Sequence, residues 1–497
     1  MDILDNLALK VSNWAIQGKG TMSEKEFIET EIEHWKNSPK RLMQIKGHLY
    51  YNDEHDILMR KRTAIGKDGK LIIVDNLPNN HVIDNQYGGL VDKKVNYLLG
   101  QPITFDGKND SYIELLKQVF DKQFMKTLKE AGKAMLNGGI AWLYPYYKED
   151  GTFGFRYFPA FEILPFWKDS DHTELEMAVR LYLTMAYEGT NPKVIEKVEI
   201  YDKEGVHCFI LDGGKLIPDV VNQDNATDAY VVGQIDGVEQ VLNWQKIPLI
   251  PLKYNERETS LLKKVKSLQD GINVMLSDFQ NNMEENSRNT ILVLKNYDGQ
   301  GLGEMRQNLA TYGAVKVRSE NGSNGGIDTL RIEVNSENYK TIIDIFKKAL
   351  IENGKGYDAK DERLSGNPNQ MNIQSMYSDI DLDANDMETE IQATFNNLLW
   401  FVNCYLANSG KGNYDGETVS VIFNRDILIS ESDAIENCAK SVGIISDETI
   451  VSMHPWIDDP QEEMKRLEAQ KQKQLEEQQK MFGDNGDYDP FKNKGDE

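Results

Sequence analysis

The chain has 497 residues, with 56 Lys and Arg against 80 Asp and Glu and a net charge of -24; it is too long for one ordinary core and too acidic for a protein that wraps nucleic acid with a Lys/Arg excess. Its three cysteines, Cys208, Cys404 and Cys438, form neither a CxxC pair nor a disulfide framework, which removes zinc and disulfides as organising chemistry. The N-terminus begins acidic, without a basic region ahead of its apolar residues, and no stretch nears the roughly 20 apolar residues of a membrane span, so the chain reads as soluble and non-secreted, with no membrane partner. Acidity leaves room for DNA that passes by, because a polyanion slides along a mostly repulsive surface carrying a few basic contacts.

From about residue 22 to 62 the chain reads as helices. Ser23 and Glu26 form a capping box for SEKEFIETEIEHWKN, and Pro39 opens a second helix. A third, NQYGGLVDKKVNYLLG, stops at Gly100 before an extended QPITF. From 138 to 250 the period changes to two. GGIAWLYPYYKEDGTFGFRYFP folds about EDG, and IEKVEIYDKEGVHCFILDGGKLI repeats the device about DKEG and DGG.

Beyond Asn255 the spacing of Leu261, Val265, Leu268, Ile272, Met275, Phe279 and Met283 predicts a helix, roughly 35–40 Å long at 1.5 Å per residue. A compact insert follows: strand TILVL, turn YDGQGLG, helix EMRQNLATY, then strands AVKVR and DTLRIEV. Ser336 caps another helix that ends at Asn353 and Gly354. The stretch GKGYDAKDERLSGNPNQMN has no period and carries three glycines and a proline, so it reads as a mobile loop. After it, Met376, Ile380, Ala384, Met387, Ile391, Phe395, Leu398 and Val402 mark one face of a long helix, with Asp379, Asp383, Asp386 and Glu390 on another. Short capped helices and QEEMKRLEAQKQKQLEEQQKMF after Pro460 close the ordered chain, and the final GDNGDYDPFKNKGDE reads as disordered.

Signatures of chemistry are missing. The seven histidines form no HExxH or close ligand pair, there is no GxxxxGK[ST] and no GxSxG, and GQGLGEMR fails the phosphate-loop pattern at Glu304. DIDLDANDMETE places Asp379, Asp381, Asp383 and Glu390 at EF-hand spacing, but Ala384 stands where glycine must turn the chain. A continuous helix explains the same residues better. The reading is therefore no catalytic residues, no metal and no cofactor, with a soluble multidomain enzyme or acidic scaffold using a divalent cation as the alternative.

The order of parts resembles the portal proteins of tailed bacteriophages, in particular those of long-tailed phages of Gram-positive hosts. The likeness is carried by YYNDEHDILMRKR, NQYGGLVDKKVNYLLGQPITF, GGIAWLYPYYKEDGTFGFRYFPAFEILPFW, IPLIPLKYNERETSLLKKVKSLQDGINVMLSDFQN, and the helix–insert–helix–loop–long-helix order up to about 430. It implies an α+β portal fold with a β-rich wing behind N-terminal helices (1–259), a two-helix stem (260–288 and 336–353) and a small α/β clip (289–335). It further implies a tunnel loop (354–370), a long wing helix and return (371–430), a helical crown (431–481) and a disordered tail (482–497).

The same resemblance implies a non-enzymatic virion protein, assembled in the host cytoplasm as a ring of usually twelve copies at one capsid vertex. Double-stranded DNA would pass through it, driven by the large terminase subunit, and later leave by it. A head-completion or adaptor protein would join the clip, and major capsid and scaffolding proteins would surround the ring. Lys355, Lys360, Arg363, Asn367 and Gln370 are then the expected DNA-facing loop residues, with Asp358, Asp361 and Glu362 among them cancelling the loop's basic charge. Lys340 and Lys347, seven apart, would line the channel, with Asp344 between them as an ion-pair partner. Glu304, Arg306, Lys316 and Arg318 would meet the clip's partners. Tyr144, Tyr146 and Tyr147 read as core rather than as base-stacking residues.

Overall fold

The computed structural model describes residues 23–65, 68–75, 77–148, 150–219, 227–235, 238–288, 291–295, 301–312, 316–318, 326–330, 336–358, 370–425, 431–457 and 460–483. They divide into a larger unit, residues 1–356 with 379–426, and a smaller one, 357–378 with 427–497.

The larger unit opens with α1 (Glu24–Lys36) and α2 (Pro39–Tyr51). Ser23 and Glu26 close the expected capping box, and Ser38 accepts from the Arg41 amide ahead of Pro39. A hairpin unforeseen in the sequence follows, β1 (Thr63–Ile65) against β2 (Leu71–Ile73). Next come α3 (Gln86–Leu99), β3 (Thr104–Gly107), α4 (Asp110–Val119) and α5 (Lys122–Gly138). Asn85, Asn109 and Asp121 cap the three helices, and α5 ends on Gly139 at φ 83°. That glycine is required twice, since a Cβ there would fall 2.2 Å from the Glu258 carbonyl oxygen.

The β-rich part holds β4 (Ile140–Tyr147), β5 (Phe153–Pro159), β6 (Ile163–Trp167), β7 (Leu175–Glu188), β8 (Asn191–Tyr201), β9 (Val206–Asp212), β10 (Lys215–Pro218), β11 (Thr227–Asp228), β12 (Val231–Ile235), β13 (Val238–Leu242) and β14 (Ile250–Lys253). Strands β6 to β10 form an antiparallel run with β11 beside β9, while β14, β4 and β5 make a second sheet. The EDG, DKEG and DGG turns fall between β4 and β5, β8 and β9, and β9 and β10. Helix α1 covers one face of the first sheet, burying Ile28 and Ile32 against Val179, Leu181, Val198, Ile200, Leu211 and Leu216.

Then come α6 (Leu261–Arg288), β15 (Ile291–Lys295), α7 (Leu302–Tyr312), β16 (Gly326–Leu330), α8 (Ser336–Asn353), α9 (Gln370–Asn408) and β17 (Val419–Ile422). Strands β15 and β16 pair, as do β17 and β3. All eight apolar positions predicted for α9 are buried, and Phe395 joins Phe120, Phe124 and Phe155 in an aromatic cluster with α5 and β5. Residues 379–390 are helical throughout, so the EF-hand spacing is a by-product of two helix faces. The expected strand AVKVR lies partly outside the described residues, and of the tail expected at 482–497 the first two residues continue the helix Pro460–Gly483 while 484–497 lie outside them.

Residues 370–378 of α9 belong to the smaller unit, together with α10 (Glu431–Ser441), α11 (Asp447–Ser452) and α12 (Pro460–Gly483). Ser446 caps α11 and Pro460 opens α12. Among the described residues no helix is long and apolar enough to cross a membrane.

Candidate functional site

Helix α6 carries two stripes. Along the predicted one, Leu261, Val265 and Ile272 are buried, Leu268, Met275 and Phe279 half-buried, and Met283 exposed. The second is polar and fully buried: Gln269, Asn273, Ser277 and Asn281, four residues apart. Burying polar groups is tolerated where each finds a partner. Here the partner is the main chain leading from β2 into the first turn of α3. Asn281 Oδ1 accepts the Asn80 amide at 2.8 Å, Ser277 Oγ that of Val82 at 2.9 Å, Asn273 Oδ1 that of Asp84 at 3.1 Å and Gln269 Oε1 that of Tyr87 at 2.9 Å. Buried His55 completes the ladder. Its Nε2 lies 2.9 Å from the Tyr50 carbonyl, Asn273 Nδ2 lies 2.8 Å from its Nδ1, and burial pushes the imidazole pKa down, favouring the neutral ring.

Arg60 and Arg62 extend the attachment, reaching Asp278 at 3.2 Å and Glu285 at 2.8 Å. On another side of α6, Gly271 lets Phe346 of α8 approach, a Cβ there falling 2.8 Å from the ring. Phe279 meets Tyr339, and Asn282 donates to the Tyr339 hydroxyl at 2.9 Å. The two helices are thereby locked side by side, and α8 leads directly into the loop.

The start of that loop is fixed. The Gly354 and Gly356 amides donate to Leu350 and Ile351 at 2.9 Å, and Lys355 between them sits at φ 50°. Both glycines press on α3, since a Cβ at either would fall 2.4 Å from a Leu90 methyl. Beneath them Lys94, wholly buried, donates to the Lys355 carbonyl at 3.0 Å and to Asp383 of α9 at 2.6 Å. Asp383 also accepts the Tyr254 hydroxyl at 3.0 Å and faces the Lys355 ammonium at 3.5 Å. Burial pushes the Lys94 amine below its usual range against the pull of Asp383, and burial pushes the Tyr254 phenol up. One buried carboxylate thus joins α3, the end of α8 and α9.

Of the expected loop residues, Lys355 lies at this root, its ammonium turned to Asp383 and Asp386. Lys360, Arg363 and Asn367 lie outside the described residues, and Gln370 opens α9. Lys340 is exposed, whereas Lys347 pairs with Asp84 at 2.6 Å rather than with Asp344. Glu304, Lys316 and Arg318 are exposed, and the Arg306 side chain lies outside the described residues. The four acids read as one face of α9 differ in environment: Asp379 and Asp386 are exposed and Glu390 half-buried, but Asp383 points inward to Lys94. The available signal was Lys94 itself, a lysine three residues after Val91 and four before Leu98 on an apolar helix face.

The architecture is that of the head-to-tail connectors of tailed phages, and the chain belongs to the family described as phage portal protein, SPP1 Gp6-like, whose model matches residues 28–477. It is 29% identical over 449 residues to the portal protein of Bacillus phage SPP1, covering 90% of this chain and 87% of that one. To the portal protein of Clostridium phage phiCD119 it is 25% identical over 461 residues, covering 87% and 94%.

Proposed function

We propose that twelve copies form a ring at one capsid vertex, the passage through which the terminase motor drives double-stranded DNA into the head and through which the genome leaves. In this reading α6 and α8 are the stem, residues 289–335 the clip that meets the terminase and then a head-completion or adaptor protein, and 354–370 the tunnel loop. The β-rich part with its N-terminal helices is the wing, α9 spans it, and the last helices are the crown. Major capsid and scaffolding proteins surround the ring, which assembles in the host cytoplasm and acts without catalysis of its own.

The observation that carries the reading is the root of the loop. Lys94, Asp383 and the two glycines hold residues 354–356 to the body of the protein, so a ring would present each subunit's loop from one fixed height. DNA-facing side chains then come from residues after Gly356, with Lys355 serving as an anchor. Electron microscopy with native mass measurement tests the ring: twelve-fold particles with a central hole support it, and a small particle without a hole refutes it. Replacing residues 357–369 by a short Gly/Ser linker tests the loop, because unaltered packaging by such rings would rule out its role in translocation.

A further inference from the structure

Hairpin β1–β2 is anomalous for a surface element. Its register pairs Thr63 with Ile73 and Ile65 with Leu71, and directly opposed residues share a face. One face therefore carries Ile65, Leu71 and Ile73, which are 77%, 72% and 56% exposed. A lone two-stranded hairpin is marginal in water, yet this one is held at its base by the Arg60 and Arg62 contacts to α6. It is an anchored projection with an apolar face.

We infer that this face packs on the stem helix α8 of the adjacent copy in the ring. The inference rests on the ring reading above. Cyclic assembly is heterologous, so each subunit must present one patch and receive a different one. Arg60 and Arg62 are paired within the subunit, and beyond them segment 61–73 is still basic, with Lys61, Lys67 and Lys70 against Asp68, in a chain of net charge -24. A second copy therefore offers the opposite charge. On α8, Ile342 and Ile345 are exposed, on the flank opposite Lys340 and Lys347. The exposed charges of α8 are mixed, Glu337, Asp344 and Glu352 against Lys340 and Lys348, with Glu352 4.0 Å from Lys348, so it is the apolar pair Ile342 and Ile345 that defines the receiving patch. Packing there covers both apolar sets and leaves the Lys340 side of α8 uncovered.

The test uses the full chain and three variants: Leu71→Asp/Ile73→Asp on the apolar face, Ile72→Asp on the other face, and Ile345→Asp on the receiving helix. Native mass and particle images should show rings for the wild type and Ile72→Asp, and small folded particles for the other two. Rings from Leu71→Asp/Ile73→Asp would overturn the inference while leaving the ring reading intact, and would turn the face toward another head protein. A wild type without rings would bring down both. If Leu71→Asp/Ile73→Asp loses its far-ultraviolet dichroism, a chain with its three native cysteines replaced by serine and carrying Ile73→Cys with Ile345→Cys decides. A ladder of crosslinked copies on oxidation supports the contact, and a single-copy band overturns it.

Discussion

Replacing Lys94 by methionine keeps an unbranched side chain, one atom shorter, and removes its charge. Asp383 is then left buried with the Tyr254 hydroxyl at 3.0 Å and the Lys355 ammonium at 3.5 Å. Removing one partner of a buried ion pair costs about 3–5 kcal/mol, and the two surviving donors place Lys94→Met at the low end, ~3 kcal/mol. Asp383→Leu should cost ~5 kcal/mol, because Lys94 keeps only the Lys355 carbonyl. The double variant, Lys94→Met/Asp383→Leu, buries no charge. It leaves that carbonyl and the Tyr254 hydroxyl unpaired, about 2 kcal/mol, so the singles should be strongly coupled. Urea unfolding of all four proteins at one protein concentration, followed by tryptophan fluorescence, measures the cycle. Hydrogen exchange at the Lys355 and Gly356 amides reports whether the loss is local. A Lys94→Met variant losing less than about 1 kcal/mol, or a cycle that is additive, would refute the claim that this pair roots the loop.

Ser277→Ala should leave the Val82 amide without its acceptor and cost about 1–3 kcal/mol, seen as faster exchange at Val82 before other amides of that segment. Gly139→Ala should fail to give soluble protein, since its φ of 83° and the 2.2 Å approach of the Glu258 carbonyl cannot both be kept. Glu258 predicts an acid response: burial raises its pKa, but His172 and Lys40, each at 2.6 Å, outweigh this and bring it from 4.5 to about 2. Because the folded pKa is depressed, the contribution is complete above pH 4.5 and lost as pH falls toward 2. It amounts to roughly 3 kcal/mol at 1.36 kcal/mol per unit. Glu258→Gln should flatten that window in an acid titration of stability, and an unchanged slope would exclude Glu258 as its source.

Apolar spacing made α9 legible in the sequence, because a helix buried along one face writes its period into residue types. The same logic could not tell Asp383 from the other acids of its face. A carboxylate three or four residues from Asp379 and Asp386 reads as another surface acid until its partner on α3, far away in sequence, is known. The stripe on α6 was legible only in part: its apolar residues fade toward exposure at Met283, while the fully buried stripe consists of Gln, Asn and Ser. Those types carry no burial signal, since what makes them tolerable inside is a main-chain segment some two hundred residues earlier. Hairpin β1–β2 escaped because three-residue strands leave too little alternation to read.

The ladder on α6 acts as a vernier. Rungs on the helix are four residues apart, about 6.0 Å, and rungs on the extended segment two residues apart, about 6.7 Å. The scales drift by about 0.7 Å per rung, so only a few rungs can engage before the chain must change course. It does so after Asp84: the next amide in step is that of Tyr87, three residues on, inside α3. Sliding α6 by one residue would put every rung out of step at once, so the ladder allows the helix a single axial setting.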